Sequence, residues 1–120
     1  MKTVESIKTA IIEMLHAKGS GRTFKEFMEV PGFKGNVGAE SQTHNLFFWF
    51  NCTDESIEAL KELLTENVIR FKPTNWKTYE ADKGIPGYPL GEDGNKYKTP
   101  HWKPVAIYKG SKFPKVLVSA

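Results

Sequence analysis

The chain has 120 residues, 39% hydrophobic and 26% charged, with a formal net charge of +3, a composition that suits one globular domain able to bury its own core. No stretch approaches the roughly 18 consecutive apolar residues of a membrane span and no basic-apolar-small leader is seen, so a cytoplasmic protein with no membrane partner is expected. Cys52 is the single cysteine, which excludes an intrachain disulfide and fits a reducing compartment.

Val4, Ile7, Ile11 and Leu15 recur at helical spacing between Thr3, a cap residue, and Gly19, a stop, and predict a first helix over about Val4 to Ala17. Thr23-Phe24-Lys25-Glu26 is a capping box that predicts a short second helix. It must end by Val30, because Pro31 lacks the amide to continue and disfavours the helical conformation before it. Gly32, Gly35 and Gly38 in a polar stretch to Ser41 predict a flexible loop. Leu46 to Phe50 is an unbroken apolar run without alternation, expected as a strand covered on both faces or, failing that, as an aromatic platform.

Thr53 or Asp54 caps a third helix, with Glu55 and Glu58 near the positive end of its dipole. Ile57, Leu60 and Leu64, with Leu63 alongside, form its apolar stripe, and Asn67 stands where a left-handed residue ends a helix. Val68 to Phe71 has strand composition, Pro73-Thr74-Asn75 is turn chemistry, and Lys77 to Glu80 is expected to return as the partner strand. The segment from residue 83 to Trp102 is rich in glycine and proline, and Tyr88, Tyr97 and Trp102 argue that it packs down as an ordered loop or a prolonged wing. Val105 to Tyr108 and residues 116–118 are two further strand candidates. The expected core is Ile7, Ile11, Leu15, Phe27, Phe48, Phe50, Ile57, Leu60, Leu64 and Ile69.

A capped helix, a stop and two strands joined by a turn, over residues 53–82, resemble the back half of a winged-helix unit, and the element order resembles it from Val4 onward. The resemblance implies an α+β fold: a small winged-helix-like domain with three helices, a small antiparallel sheet and a long Gly/Pro-rich loop. The whole chain is then a single domain, residues 1–82 forming the winged-helix-like core and residues 83–120 a basic loop with C-terminal strands. In DNA-binding members the helix before the wing enters the major groove, which would give that role to residues 54–66. Its outward positions Asp54, Glu55, Glu58, Lys61, Glu62 and Glu66 are mostly acidic, a face that phosphate repels.

No catalytic or cofactor signature emerges. His16, His44, His101 and Cys52 are not at metal-ligand spacing, Cys52 has no nucleophile signature around it, and Glu92-Asp93 sits among turn residues, so no enzyme activity, metal or cofactor is expected. Gly32-Phe33-Lys34-Gly35 matches the GXXG loop with which KH domains clamp nucleic acid, but the glycine at Gly38 falls where a helix should follow.

Charge is asymmetric. From Lys72 onward nine lysines face the four acids Glu80, Asp82, Glu92 and Asp93, whereas acids outnumber bases before it. This predicts a small non-enzymatic protein, associated with nucleic acid in a regulatory or mobile-element setting. Lys72, Lys77, Lys96, Lys98, Lys103 and Lys109 would touch phosphates, and Trp76, Tyr97 or Trp102 would stack on bases. The alternative is a protein-interaction or inhibitory module of a phage or regulatory complex, using the acidic helix or the long loop.

Overall fold

Three helices start at a threonine whose hydroxyl accepts the amide three residues on, while that third residue's side chain returns a bond to the threonine amide. Thr3 with Ser6 opens α1 (Val4–Lys18), Thr23 with Glu26 opens α2 (Phe24–Phe27), and Thr53 with Ser56 opens α3 (Asp54–Thr65). The structure is a computed structural model and describes residues 3–81 and 85–115. Helix α3 ends as expected at Asn67, φ 60°, where Val68 N–H bonds the Leu63 carbonyl at 2.9 Å and Asn67 N–H bonds that of Leu64 at 3.1 Å. These two bonds satisfy carbonyls that the helix end would otherwise leave open.

The described residues form a mixed α+β fold with two small sheets. Strands β1 (Lys34–Glu40), β2 (Leu46–Cys52) and β4 (His101–Trp102) make one sheet in the order β1-β2-β4, and β3 (Ile69–Pro73) pairs with β5 (Val105–Lys109) in the other. Arg22 adds an antiparallel bridge to Ile107 on the far side of β5. The β2–β4 pair is parallel, so the first sheet is mixed and not purely antiparallel.

Two expected elements are different in kind. Residues 77–80 belong to a fourth helix, α4 (Trp76–Ala81), and the strand that returns to β3 is β5, reached through the long connection and not through a three-residue turn. The Asn75 side chain accepts the Lys77 amide at 2.9 Å, making it a helix cap where turn chemistry was expected, and Tyr79 is fully buried beneath the helix. The glycine stretch expected as a loop is β1. Gly35 and Gly38 are needed there because a Cβ at Gly38 would lie 2.6 Å from the Phe47 ring and one at Gly35 would lie 2.5 Å from the Cys52 carbonyl oxygen. Phe33 is fully buried, so the GXXG tetrapeptide is the packed entry to a strand.

The apolar run of β2 is a central strand covered on both sides. Irregularities in its pairing with β1 re-aim its side chains, so Leu46, Trp49 and Cys52, every third residue, are buried. Phe47 and Phe50 make a half-buried layer on the other side, where Tyr88 stacks on Phe50 with ring centroids 3.8 Å apart. Trp49 enters the core by stacking on Phe24 and donating its indole N–H to the Met28 sulfur at 3.4 Å.

Ile7, Ile11, Leu15, Phe27, Leu60 and Ile69 are buried as expected, whereas Phe48, Phe50, Ile57 and Leu64 only flank the core. The inward phase of α3 is Ser56, Ala59, Leu60 and Leu63, rotated from the expected stripe because the Ser56 hydroxyl binds the Phe33 carbonyl. The C-terminal part is not an appendage: Trp102, Val105, Ala106 and Ile107 are all buried. Residues 85–100 are irregular but ordered, with Trp102 N–H on the Pro89 carbonyl at 2.7 Å and Gly91 N–H on that of Trp102 at 3.0 Å. The expected strand at 116–118 lies outside the described residues.

Leu60→Ala is expected to destabilise the fold by about 2–5 kcal/mol and Leu64→Ala by clearly less, as read by denaturant unfolding. Equal losses would place the α3 stripe back in the sequence-derived phase. Tyr79→Phe is expected to lower stability by about 1–3 kcal/mol, since its hydroxyl donates to the Val105 carbonyl at 2.6 Å and accepts the Phe24 amide at 3.1 Å in a buried site.

Candidate nucleic-acid interface

Strand alternation sorts the basic residues of the β3–β5 pair onto two faces. Arg70 lies opposite Tyr108 and Lys72 opposite the buried Ala106, with both cations exposed on one face, whereas Lys109 lies opposite Ile69 on the other. The Lys72 ammonium lies 4.6 Å from the centroid of the Tyr108 ring, and the Lys109 ammonium 5.1 Å from that of Phe113. Lys72 and Lys109, grouped by sequence position, therefore do not share a surface. Arg70 and Tyr108 do share one with Lys72 and were missed, although the period of two in the strand already placed Arg70 outward.

Helix α4 carries the next pair. Trp76 is 37% exposed, and the Lys77 ammonium lies 6.0 Å from its ring centroid. Across a cleft of about 670 Å³ stands the segment from Leu90 to Tyr97. Tyr97 is held there by its hydroxyl, which accepts the Glu92 amide at 2.7 Å, and by its ring, stacked on His101 at 4.0 Å. Lys96 and Lys98 on either side of Tyr97 are exposed. The Asn45 side chain donates to the Tyr97 carbonyl at 3.0 Å and ties the segment to the start of β2.

Two of the expected contact residues are occupied otherwise. Trp102 is 1% exposed and donates its indole N–H to the Phe48 carbonyl at 3.2 Å, so it is a core residue and offers no face to a base. Lys103 is bound to Asp93 in an ion pair that the Thr43 hydroxyl supports from the other side at 3.3 Å. The hydrogen bond from the Lys103 ammonium holds the Asp93 carboxyl below its ordinary pKa, which favours its charged form. It walls the cleft off from a second one of about 620 Å³ over Phe48, Leu64 and Phe71.

The acidic face of α3 is also partly committed. Lys8 of α1 reaches Glu62 at 3.1 Å and Glu66 at 2.9 Å, with Glu5 at 3.7 Å. Its pKa is raised, chiefly by the bond to Glu66 and against the effect of burial. Two of the carboxylates expected to face solvent thus form the seam between α1 and α3. Among the described residues no group of three or more His, Cys, Asp or Glu is placed to hold a metal. Comparison with family models, with curated proteins and with solved structures finds no match for this chain.

Cys52 is fully buried, and burial pushes its thiol pKa up to about 12, opposed only by a hydrogen bond with Ser56. It is a core thiol and no nucleophile. A thiol reagent at pH 8 is expected to leave the folded protein unlabelled and to label it fully in denaturant. Because the folded-state pKa lies above the ordinary 9.0, the thiol favours the unfolded chain as pH rises from about 9 to about 12. Cys52→Ala should flatten that part of the stability curve.

Proposed function

We propose that this protein is a small, non-enzymatic, winged-helix-like module that grips the phosphate backbone of nucleic acid with its lysine-rich C-terminal half. One observation carries the reading: the outward face of β3–β5 sets Arg70 and Lys72 beside Tyr108, and neither cation has a carboxylate partner among the described residues. Lys77, Lys96 and Lys98 extend the unneutralised charge onto α4 and the 90–98 segment. By contrast, Lys103 is cancelled by Asp93.

In this reading α3 is not the helix that enters a groove. Its Glu62 and Glu66 are spent on Lys8, its remaining outward charges are Asp54, Glu55, Glu58 and Lys61, and its apolar side is buried. The grip comes from the strand pair and from the long connection, which takes the place of a short wing. Lysine ammonium groups hold phosphate as point charges and read little sequence, so the binding is expected to be general.

A second reading, an interaction or inhibitory module for a protein partner, draws on a different observation: Ile85, Tyr88 and Leu90 are 45%, 41% and 53% exposed on neighbouring turns of the long segment. Exposed apolar side chains so close in sequence favour a protein contact there.

Affinity for mixed-sequence DNA, measured by fluorescence anisotropy, is expected to fall linearly with the logarithm of salt, at about −0.9 per phosphate neutralised. Arg70→Gln with Lys72→Gln should weaken binding and reduce that slope by about two, while Glu58→Gln should leave binding equal or stronger. Salt-independent binding, or a double variant that matches the native protein, would move the function to the protein-partner reading.

A further inference from the structure

Within the cleft between α4 and the segment from Leu90 to Tyr97, two aromatic side chains serve no core role. Trp76 is 37% exposed, and its indole N–H has no partner among the described residues. Tyr97 lines the same cleft, with its hydroxyl bound to the backbone at Glu92 and its ring braced by His101. The cleft, of about 670 Å³, has room for a nucleotide, and Leu90, Pro73 and Pro104 give it apolar walls.

Charged residues stand both in the lining of the cleft and beside it. Lys103 and Asp93 cancel in their ion pair. That leaves Glu92 as the uncompensated charge among the lining residues, while outside the lining the Lys77 ammonium lies 6.0 Å from the Trp76 ring centroid and the exposed Lys96 and Lys98 precede and follow Tyr97 in sequence. An anionic ligand with a flat aromatic part fits this arrangement. Glu92 supplies an acceptor for a base N–H, the thymine N3–H included.

We infer that this cleft holds an unpaired base of single-stranded nucleic acid, stacked against Trp76 beside Tyr97, while Lys77, Lys96 and Lys98 hold the phosphates on either side of it. The inference rests on the phosphate-binding reading above and adds to it the strandedness of the ligand. A base within a duplex is stacked on both faces and cannot enter the cleft, whereas a base in a single strand exposes its face at little expense. The strand face with Arg70 and Lys72 would bind either form. The cleft discriminates between them.

The test compares labelled oligo(dT) with the same strand in a duplex with oligo(dA), on the full chain, by anisotropy. The native protein is expected to prefer the single strand. Trp76→Ala should weaken single-strand binding by roughly 5- to 150-fold, the usual effect of losing one base–aromatic stack, and leave duplex binding unchanged. Trp76→Phe should retain most of the preference, and thermal melting of both variants checks that the fold is intact. Equal affinity for the two forms, or an equal loss on both in Trp76→Ala, overturns the inference and leaves the phosphate grip standing. Failure to bind either form overturns the inference together with the phosphate grip. Binding of a polyproline peptide that Trp76→Ala abolishes, with no effect of that variant on oligo(dT), assigns the cleft to a protein and likewise overturns it.

Discussion

The fold is organised around a buried phenol. Tyr79 is fully buried, and its hydroxyl joins the Phe24 amide at the start of α2 to the Val105 carbonyl at the start of β5. A buried hydroxyl without partners is strongly unfavourable, so both bonds must form together for the ring to enter the core. Once inside, the ring lies edge-on to Trp102 at 5.0 Å and against Trp49 at 5.5 Å, which brings both sheets and α2 to one point. Helix α4 has only six residues and would not persist alone. It exists because Tyr79 anchors it, and that anchor is what sets Trp76 and Lys77 at the edge of the cleft.

The second constraint is the density of large aromatic residues on β2. A regular strand sends neighbours to opposite faces, so five bulky residues in succession demand cover on both. The irregular pairing with β1 eases that demand by turning Leu46, Trp49 and Cys52 to the core and leaving Phe47 and Phe50 as a second, shallower layer. Glycine in β1 is the counterpart of this crowding: the Phe47 ring occupies the space that a side chain at Gly38 would need. The long segment then supplies the outer cover, with Tyr88 on Phe50, and the same segment forms the far wall of the cleft. Packing of the aromatic strand and construction of the candidate site are thus one event.

Electrostatics divides the surface by pairing and not by composition. The acids of α3 look free in sequence, yet Lys8 draws Glu62 and Glu66 into an interhelical cluster. The lysines of the C-terminal half look equivalent, yet Asp93 removes Lys103 from the count, and Lys72 and Lys109 are turned to opposite faces of their sheet. What remains without a carboxylate partner among the described residues of the C-terminal half is a smaller set. It is on this set that the proposed phosphate contacts depend.

What the residues determined by themselves is local. Threonine caps at Thr3, Thr23 and Thr53, the left-handed Asn67, the helical spacing of Ile7, Ile11 and Leu15 and the strand at Val105 to Tyr108 follow from side-chain chemistry within a few positions, and all were legible. Of the candidate site, Trp76, Tyr97 and the exposed lysines were legible as types, and so was the outward phase of Arg70. The conversion of residues 77–80 from strand to helix was not, because it depends on Val105 and Phe24 accepting and donating to Tyr79 from far along the chain. Nor was the strand at Lys34–Glu40, whose glycines read as flexibility until Phe47 and the Cys52 carbonyl are set against them. The burial of Trp102 and the loss of Lys103 to Asp93 likewise required partners that only the folded chain brings near, since charge and aromatic character belong to a residue while pairing and exposure belong to its neighbours.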